Sequence, residues 1–169
     1  MSRPAIDPYL VTAEQMQQIE GRMFEAGMPV AALMEKVAGR LVQWFVRQFQ
    51  DCCDRQTGKV CVLAGPGHNG ADALVMAREL HHLGFEVAVC WPFAKGKDLT
   101  NQHASYAQSL GIEISPSLPE NLSVYDAIID GLFGFGLTRP ITGELADIIC
   151  EIAAQSRLVF CVDLPSGIR

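Results

Sequence analysis

Two aspartates, Asp130 and Asp163, each follow a short apolar run directly, and each opens a segment containing glycine. A carboxylate at the end of a buried strand emerges beside whatever binds there, where it can move a proton or steady a positive charge. It can equally cap the turn that follows. Three segments carry the chemistry-bearing residues: Gly65-Pro66-Gly67-His68-Asn69-Gly70-Ala71-Asp72, then Asp130-Gly131-Leu132-Phe133-Gly134-Phe135-Gly136-Leu137-Thr138-Arg139-Pro140, then Asp163-Leu164-Pro165-Ser166-Gly167. The first satisfies G-x-G-x-x-G through Gly65, Gly67 and Gly70, and glycine there lets backbone N–H groups approach a phosphate at a helix N-terminus. The second sets three glycines ahead of Arg139, whose guanidinium suits a pyrophosphate. Taken singly, each also fits a plain connecting turn. The oxygens of Asn69, Asp130 and Ser166 make a donor set suited to a hard cation such as potassium, magnesium or calcium.

Several other chemistries fit poorly. A dinucleotide fingerprint wants an acid at the end of the next strand to hold the ribose. Here that strand ends in Trp91-Pro92, and Glu86 stands at its beginning, which disfavours an ordinary nicotinamide-dependent dehydrogenase. Ser166 lacks the G-x-S-x-G context of a nucleophile elbow. His81 and His82 are adjacent on a helix and face apart, and His103 has no evident partner.

The elements that must position these segments follow from hydrophobic period. Thr12 with Gln15 makes a capping box for a first helix carrying Met16, Ile19 and Met23 on one face. A second helix is expected from about Val30 to Phe49, with Leu33, Val37, Leu41, Trp44 and Phe45 inward. Strands are expected at Val60 to Ala64, Val87 to Trp91, weakly at Ile112 to Ile114, at Tyr125 to Ile129, and at Leu158 to Val162. Helices alternate with them at about Asp72 to Leu83, Thr100 to Leu110 and Gly143 to Ala154, the last capped near Thr142. This alternation predicts an α/β fold: three-layer αβα, Rossmann-like, a doubly wound mostly parallel sheet in a single domain. In such a sheet the ligand lies outside the carboxyl ends of the strands, so the three segments are expected to meet at one edge.

Composition agrees with a compact domain, since 169 residues with 49% hydrophobic and 19% charged side chains suffice for one core. A net charge of -6 disfavours nucleic acid as a partner. No apolar run reaches membrane-spanning length, and Met1 to Pro8 does not read as a secretory signal. The six cysteines form no C-x-x-C pair. Cys61, Cys90 and Cys161 sit in strand-like runs, which suggests buried free thiols in a cytoplasmic chain.

In order and spacing the three segments resemble the YjeF N-terminal family, the NAD(P)H-hydrate epimerases. The family's G-P-G-N-N-G-G-D-G appears as Gly65 to Ala73, its central D-A-(L/I)-x-G-x-G-L run as Asp130 to Leu137, and its V-D-I-P-S-G as Val162 to Gly167. Thr12 to Met16 and the Gly27-Met28 turn also look like the family's opening. His68 stands where the pattern has asparagine and Ala71 where it has glycine. The resemblance implies an isomerase that interconverts the R and S forms of hydrated NADH and NADPH. It implies substrate binding by His68, Asn69, Gly70, Ala71 and Asp72, by Gly134, Phe135, Gly136, Leu137, Thr138, Arg139 and Pro140, and by Asp163, with Asp163 as the catalytic carboxylate. A potassium ion is implied at Asn69, Asp130 and Ser166. Residues 1–169 then form one epimerase domain, incomplete at its C-terminal end, with residues 1–50 a helical segment packing on the sheet. The resemblance also raises a homodimer and fusion or pairing with an ADP- or ATP-dependent dehydratase as expectations. The alternative of a different class is a non-catalytic dinucleotide-binding or dimerisation module of the same fold.

Overall fold

A computed structural model describes residues 11–53, 56–137, 139–155 and 158–168. Two helices come first, α1 (Ala13–Glu25) and α2 (Val30–Cys53). Strands and helices then alternate as β1 (Lys59–Ala64), α3 (His68–His82), β2 (Glu86–Cys90), α4 (Asp98–Ser109), β3 (Glu113–Ser115), β4 (Ala127–Gly131), α5 (Glu144–Ala153) and β5 (Leu158–Cys161). The five strands form one sheet in the order β3-β2-β1-β4-β5, and every pairing is parallel. The chain turns back between β1 and β4, which makes the carboxyl ends of those two strands the switch point of a doubly wound sheet.

Alternation along β1 divides the core. Val60, Val62 and Ala64 join α2, α3 and α4 in the larger cluster. Cys61 and Leu63 face the other way, against Ile148 and Ile152 of α5. Strand residues buried on both faces explain why β1 and β4 read as unbroken apolar runs. The Thr12 capping box forms as expected, with the Gln15 N–H reaching the Thr12 hydroxyl at 3.2 Å and the Gln15 side chain receiving the Thr12 N–H at 2.8 Å.

The structure differs from the sequence pattern at four places. The inward stripe of α2 is Met34, Ala38, Val42, Phe45 and Phe49, rotated from the one expected, and Val37 and Trp44 remain 39% and 55% exposed. Every-fourth-residue apolar series run on two neighbouring faces of this helix, so period alone does not choose between them. Helix α1 buries no residue at all. Helix α5 is preceded by Gly143 at φ 65° rather than capped by Thr142. Finally, β4 extends to Gly131, so Asp130 belongs to the strand and not to the loop after it.

All six cysteines are free. Cys61 and Cys90 are buried and Cys161 is half-buried. Burial, reinforced by Cys90, pushes the Cys61 thiol up to about 12, which leaves it unreactive. Among the described residues, no helix is long and apolar enough to cross a membrane.

Candidate functional site

The first segment is shorter as a loop than its sequence suggests. Helix α3 begins at His68, directly after Gly67, so His68 to Asp72 form its first turn rather than an extended loop. The tight approach depends on glycine. A Cβ on Gly70 would collide with the Gly65 carbonyl, and one on Gly65 with the backbone of Leu132. The Gly65 N–H donates to the Gly131 carbonyl at 3.0 Å, which fixes the first segment to the second.

Second and third segments are locked together around Asp130. Its carboxylate is 6% exposed and accepts the Ser166 N–H at 2.8 Å, the Ser166 hydroxyl at 2.6 Å and the Leu132 N–H at 3.2 Å. The Ser166 hydroxyl in turn accepts the Phe133 N–H at 3.0 Å, and the Val162 N–H donates to the Asp130 carbonyl at 3.0 Å. Beyond this lock, Asp163 is exposed and accepts the Phe135 N–H at 2.9 Å. Gly134 lies so close to the Asp163 carboxylate that any Cβ there would strike it.

The three segments thus meet at one edge, around a cleft of about 750 Å³. His68, Asn69, Asp72, Gly134, Phe135, Gly136, Leu137, Arg139 and Asp163 line it. Gly70 and Ala71 are buried behind it in α3, and Asp130 and Ser166 are buried beneath it. Pro140 is exposed and is not among the lining residues. Thr138 lies outside the described residues.

Electrostatics distinguish the carboxylates. Burial, with Glu20 and Asp163 nearby, raises Asp72 to about 7, and its Oδ1 is buried without a hydrogen-bond partner. Asp163 instead holds a backbone N–H at the open surface. For His68, burial and the Lys97 ammonium lower the pKa, while Glu20 acts in the opposite direction.

Three sets of lining residues escape the motif pattern, one of them Val30, Leu33, Met34 and Val37 of α2. Met16, Gln17, Glu20 and Phe24 of α1 form one wall. Their spacing on one helix face was the available signal, hidden because the face mixes polar and apolar types. Lys97, just after the β2 loop, also lines the cleft.

Fold and site together define a doubly wound α/β domain with a nucleotide-sized cleft at its switch point. Residues 30–169 match the family described as YjeF-related protein N-terminus, and the chain belongs to that family. It is 49% identical over 96% of its length to the bifunctional NAD(P)H-hydrate repair enzyme Nnr of Thermosynechococcus vestitus, of which it spans 31%. It is 32% identical to the NAD(P)H-hydrate epimerase of Entamoeba histolytica, covering 94% of this chain and 70% of that protein. The crystal structure of yeast ynu0 superimposes with a TM-score of 0.83 at 25% identity, covering 94% of this chain and 71% of the other. The chain therefore spans about a third of the length of the cyanobacterial relative.

Proposed function

We propose that this domain interconverts the R and S epimers of hydrated NADH and NADPH, with Asp163 as the catalytic carboxylate. The observation that carries this is the exposed Asp163 carboxylate, fixed by the Phe135 N–H inside a cleft that all three segments line. Relatives named NAD(P)H-hydrate epimerase support the choice of substrate.

The chemistry asks little of the protein. The hydrated ring bears a hydroxyl on the carbon beside its nitrogen, whose lone pair can expel that hydroxyl and leave an iminium-like cation. Water then returns to either face. Asp163 assists proton transfer to and from the departing oxygen, and its charge steadies the cation. Phe133 and Phe135 supply apolar walls beside it, and Arg139 offers a cation for the pyrophosphate.

Potassium at Asn69, Asp130 and Ser166 forms part of this proposal. A buried carboxylate ordinarily needs a compensating charge, and Asp130 has no lysine or arginine partner among the described residues. The Asn69 amide nitrogen is buried without a partner. Amide nitrogen and oxygen exchange places by a simple flip, which would turn an oxygen donor into that position. No cluster of three or more His, Cys, Asp or Glu side chains gathers among the described residues, so mixed amide, carboxylate and hydroxyl oxygens suit a weakly held hard ion. When bound, the ion would supply positive charge beneath the cleft and brace the two loops that Asp130 joins.

The bifunctional relatives support a second activity joined to this domain or working beside it, for which the dehydratase is our proposal. Chromatographic separation of the epimers of hydrated NADH, incubated with the chain, tests the main claim. Equilibration faster than the spontaneous rate is expected. No acceleration would favour the non-catalytic dinucleotide-binding or dimerisation module.

A further inference from the structure

Three carboxylates, Glu20, Asp72 and Asp163, face the cleft, and the cations among its lining residues are Lys97 and Arg139 with the titratable His68. Arg139 comes from the second segment, on the β4 side. Lys97 comes from the opposite side, after β2, the strand that pairs with β1 away from β4. In a doubly wound sheet the strand beside the phosphate-binding turn ends where the adenosine ribose rests. An acid there holds the free 2′-hydroxyl, whereas a cation accommodates a 2′-phosphate.

Strand β2 ends at Cys90 and continues as Trp91-Pro92-Phe93-Ala94-Lys95-Gly96-Lys97. That stretch has two lysines and no carboxylate. The next acid, Asp98, starts α4 and does not line the cleft. The backbone of Lys97 is fixed against the first segment. Its N–H donates to the Pro66 carbonyl at 2.8 Å, and the Thr100 hydroxyl donates to the Gly67 carbonyl at 3.0 Å. Asn101 closes the turn by exchanging two hydrogen bonds with Gly96, at 3.0 and 2.9 Å. The Lys97 side chain is exposed and forms no ion pair among the described residues. A hydrogen-bonded backbone thus presents an ammonium with no ion pair among the described residues on the β2 side of the cleft, while Asp163 follows β5 on the other side of the switch point.

We propose that Lys97 is a specificity residue whose ammonium receives the 2′-phosphate of hydrated NADPH and so favours it over hydrated NADH. The identity of the reaction rests on the epimerase proposal. The phosphate contact does not need turnover, because the same group is present on NADP+.

The test compares the full chain with Lys97→Gln and Lys97→Arg in two measurements. The first is KM for each hydrate, and the second is the dissociation constant for NADP+ and for NAD+ by calorimetry. A charge-assisted hydrogen bond at an exposed site is worth about tenfold in affinity. Lys97→Gln should therefore raise the NADPH-hydrate KM, relative to the NADH-hydrate KM, by roughly tenfold, with the same relative loss for NADP+ over NAD+ and recovery in Lys97→Arg. A parallel loss on both members of each pair would overturn the assignment, because it marks a contact to the shared pyrophosphate. An unmoved ratio would overturn it as well. Absence of epimerase turnover alongside a Lys97-dependent NADP+ preference would sink the proposed reaction and leave this site standing.

Discussion

The two oxygens of the Asp130 carboxylate are both held by Ser166, 36 residues later in the chain, one by its N–H at 2.8 Å and the other by its hydroxyl at 2.6 Å. This pair joins the end of β4 to the turn after β5, and through the Phe133 N–H it also sets the start of the second loop. Ser166→Ala removes the hydroxyl and leaves a half-buried N–H and a buried carboxylate each short of one partner. An unmet buried polar group costs about 1–3 kcal/mol. Urea unfolding should show a loss of that size. An unchanged midpoint would mean that the lock contributes nothing to the fold.

Asp163→Asn isolates charge from shape. The amide oxygen still accepts the Phe135 N–H, so the loop should hold, while the proton-transfer group is gone. General acid–base assistance contributes roughly 10²–10⁴-fold, and epimer equilibration should slow by that range with little change in unfolding. Gly134→Ala should act on the same carboxylate indirectly, because its methyl would occupy the space of the Asp163 side chain. Near-normal rates in Asp163→Asn would remove it from the mechanism.

The sequence exposes the strands and the three segments well because each signal is local. A run such as Val60 to Ala64 is apolar on both faces, and the glycines that permit the Gly65–Gly70 approach are visible as letters. The face of α2 is less legible. Val37 and Trp44 are as apolar as Ala38 and Phe45, and only packing against α3 decides which stripe turns inward. Helix α1 is legible as a helix from its capping box, but the face it turns to the site is not: that face lines a cleft rather than a core, so Gln17 and Glu20 carry no hydrophobic signature. Lys97 is not legible in the sequence, because nothing in Lys95-Gly96-Lys97 forms a motif; its place at the cleft arises from the hydrogen bonds that hold that turn against Pro66 and Gly67.

Asp72 makes stability depend on pH. Its folded pKa is raised to about 7 from 3.8, so between those values the folded state binds more protons than the unfolded chain. Stability should therefore fall as pH rises from about 4 to 7, and level off above. Burial is the first cause and Glu20 the second. Asp72→Asn should flatten this slope, and Glu20→Gln should move its upper limit to lower pH. Denaturant titrations in potassium-free buffer from pH 4 to 8 measure both. A slope retained in Asp72→Asn would assign the dependence to another group.

Gly67 and Gly70 belong to one motif yet should respond oppositely to a single methyl group. At Gly70 a Cβ meets the Gly65 carbonyl, backbone against backbone, and neither atom can swing aside. Gly70→Ala should cost about 1–3 kcal/mol or more in folding stability. At Gly67 nothing lies within 4 Å of an added Cβ, and its backbone is extended, at φ -101° and ψ -163°. Gly67→Ala should therefore cost under about 1 kcal/mol, the penalty for alanine at a helix N-cap. The open space at Gly67 faces the cleft, so its methyl would stand where a phosphate approaches the α3 N-terminus. NAD+ and NADP+ should both bind Gly67→Ala several-fold more weakly, an order-of-magnitude expectation for a lost phosphate contact. Unimpaired dinucleotide binding in Gly67→Ala, measured by calorimetry beside an unfolding curve, would place the phosphates elsewhere in the cleft.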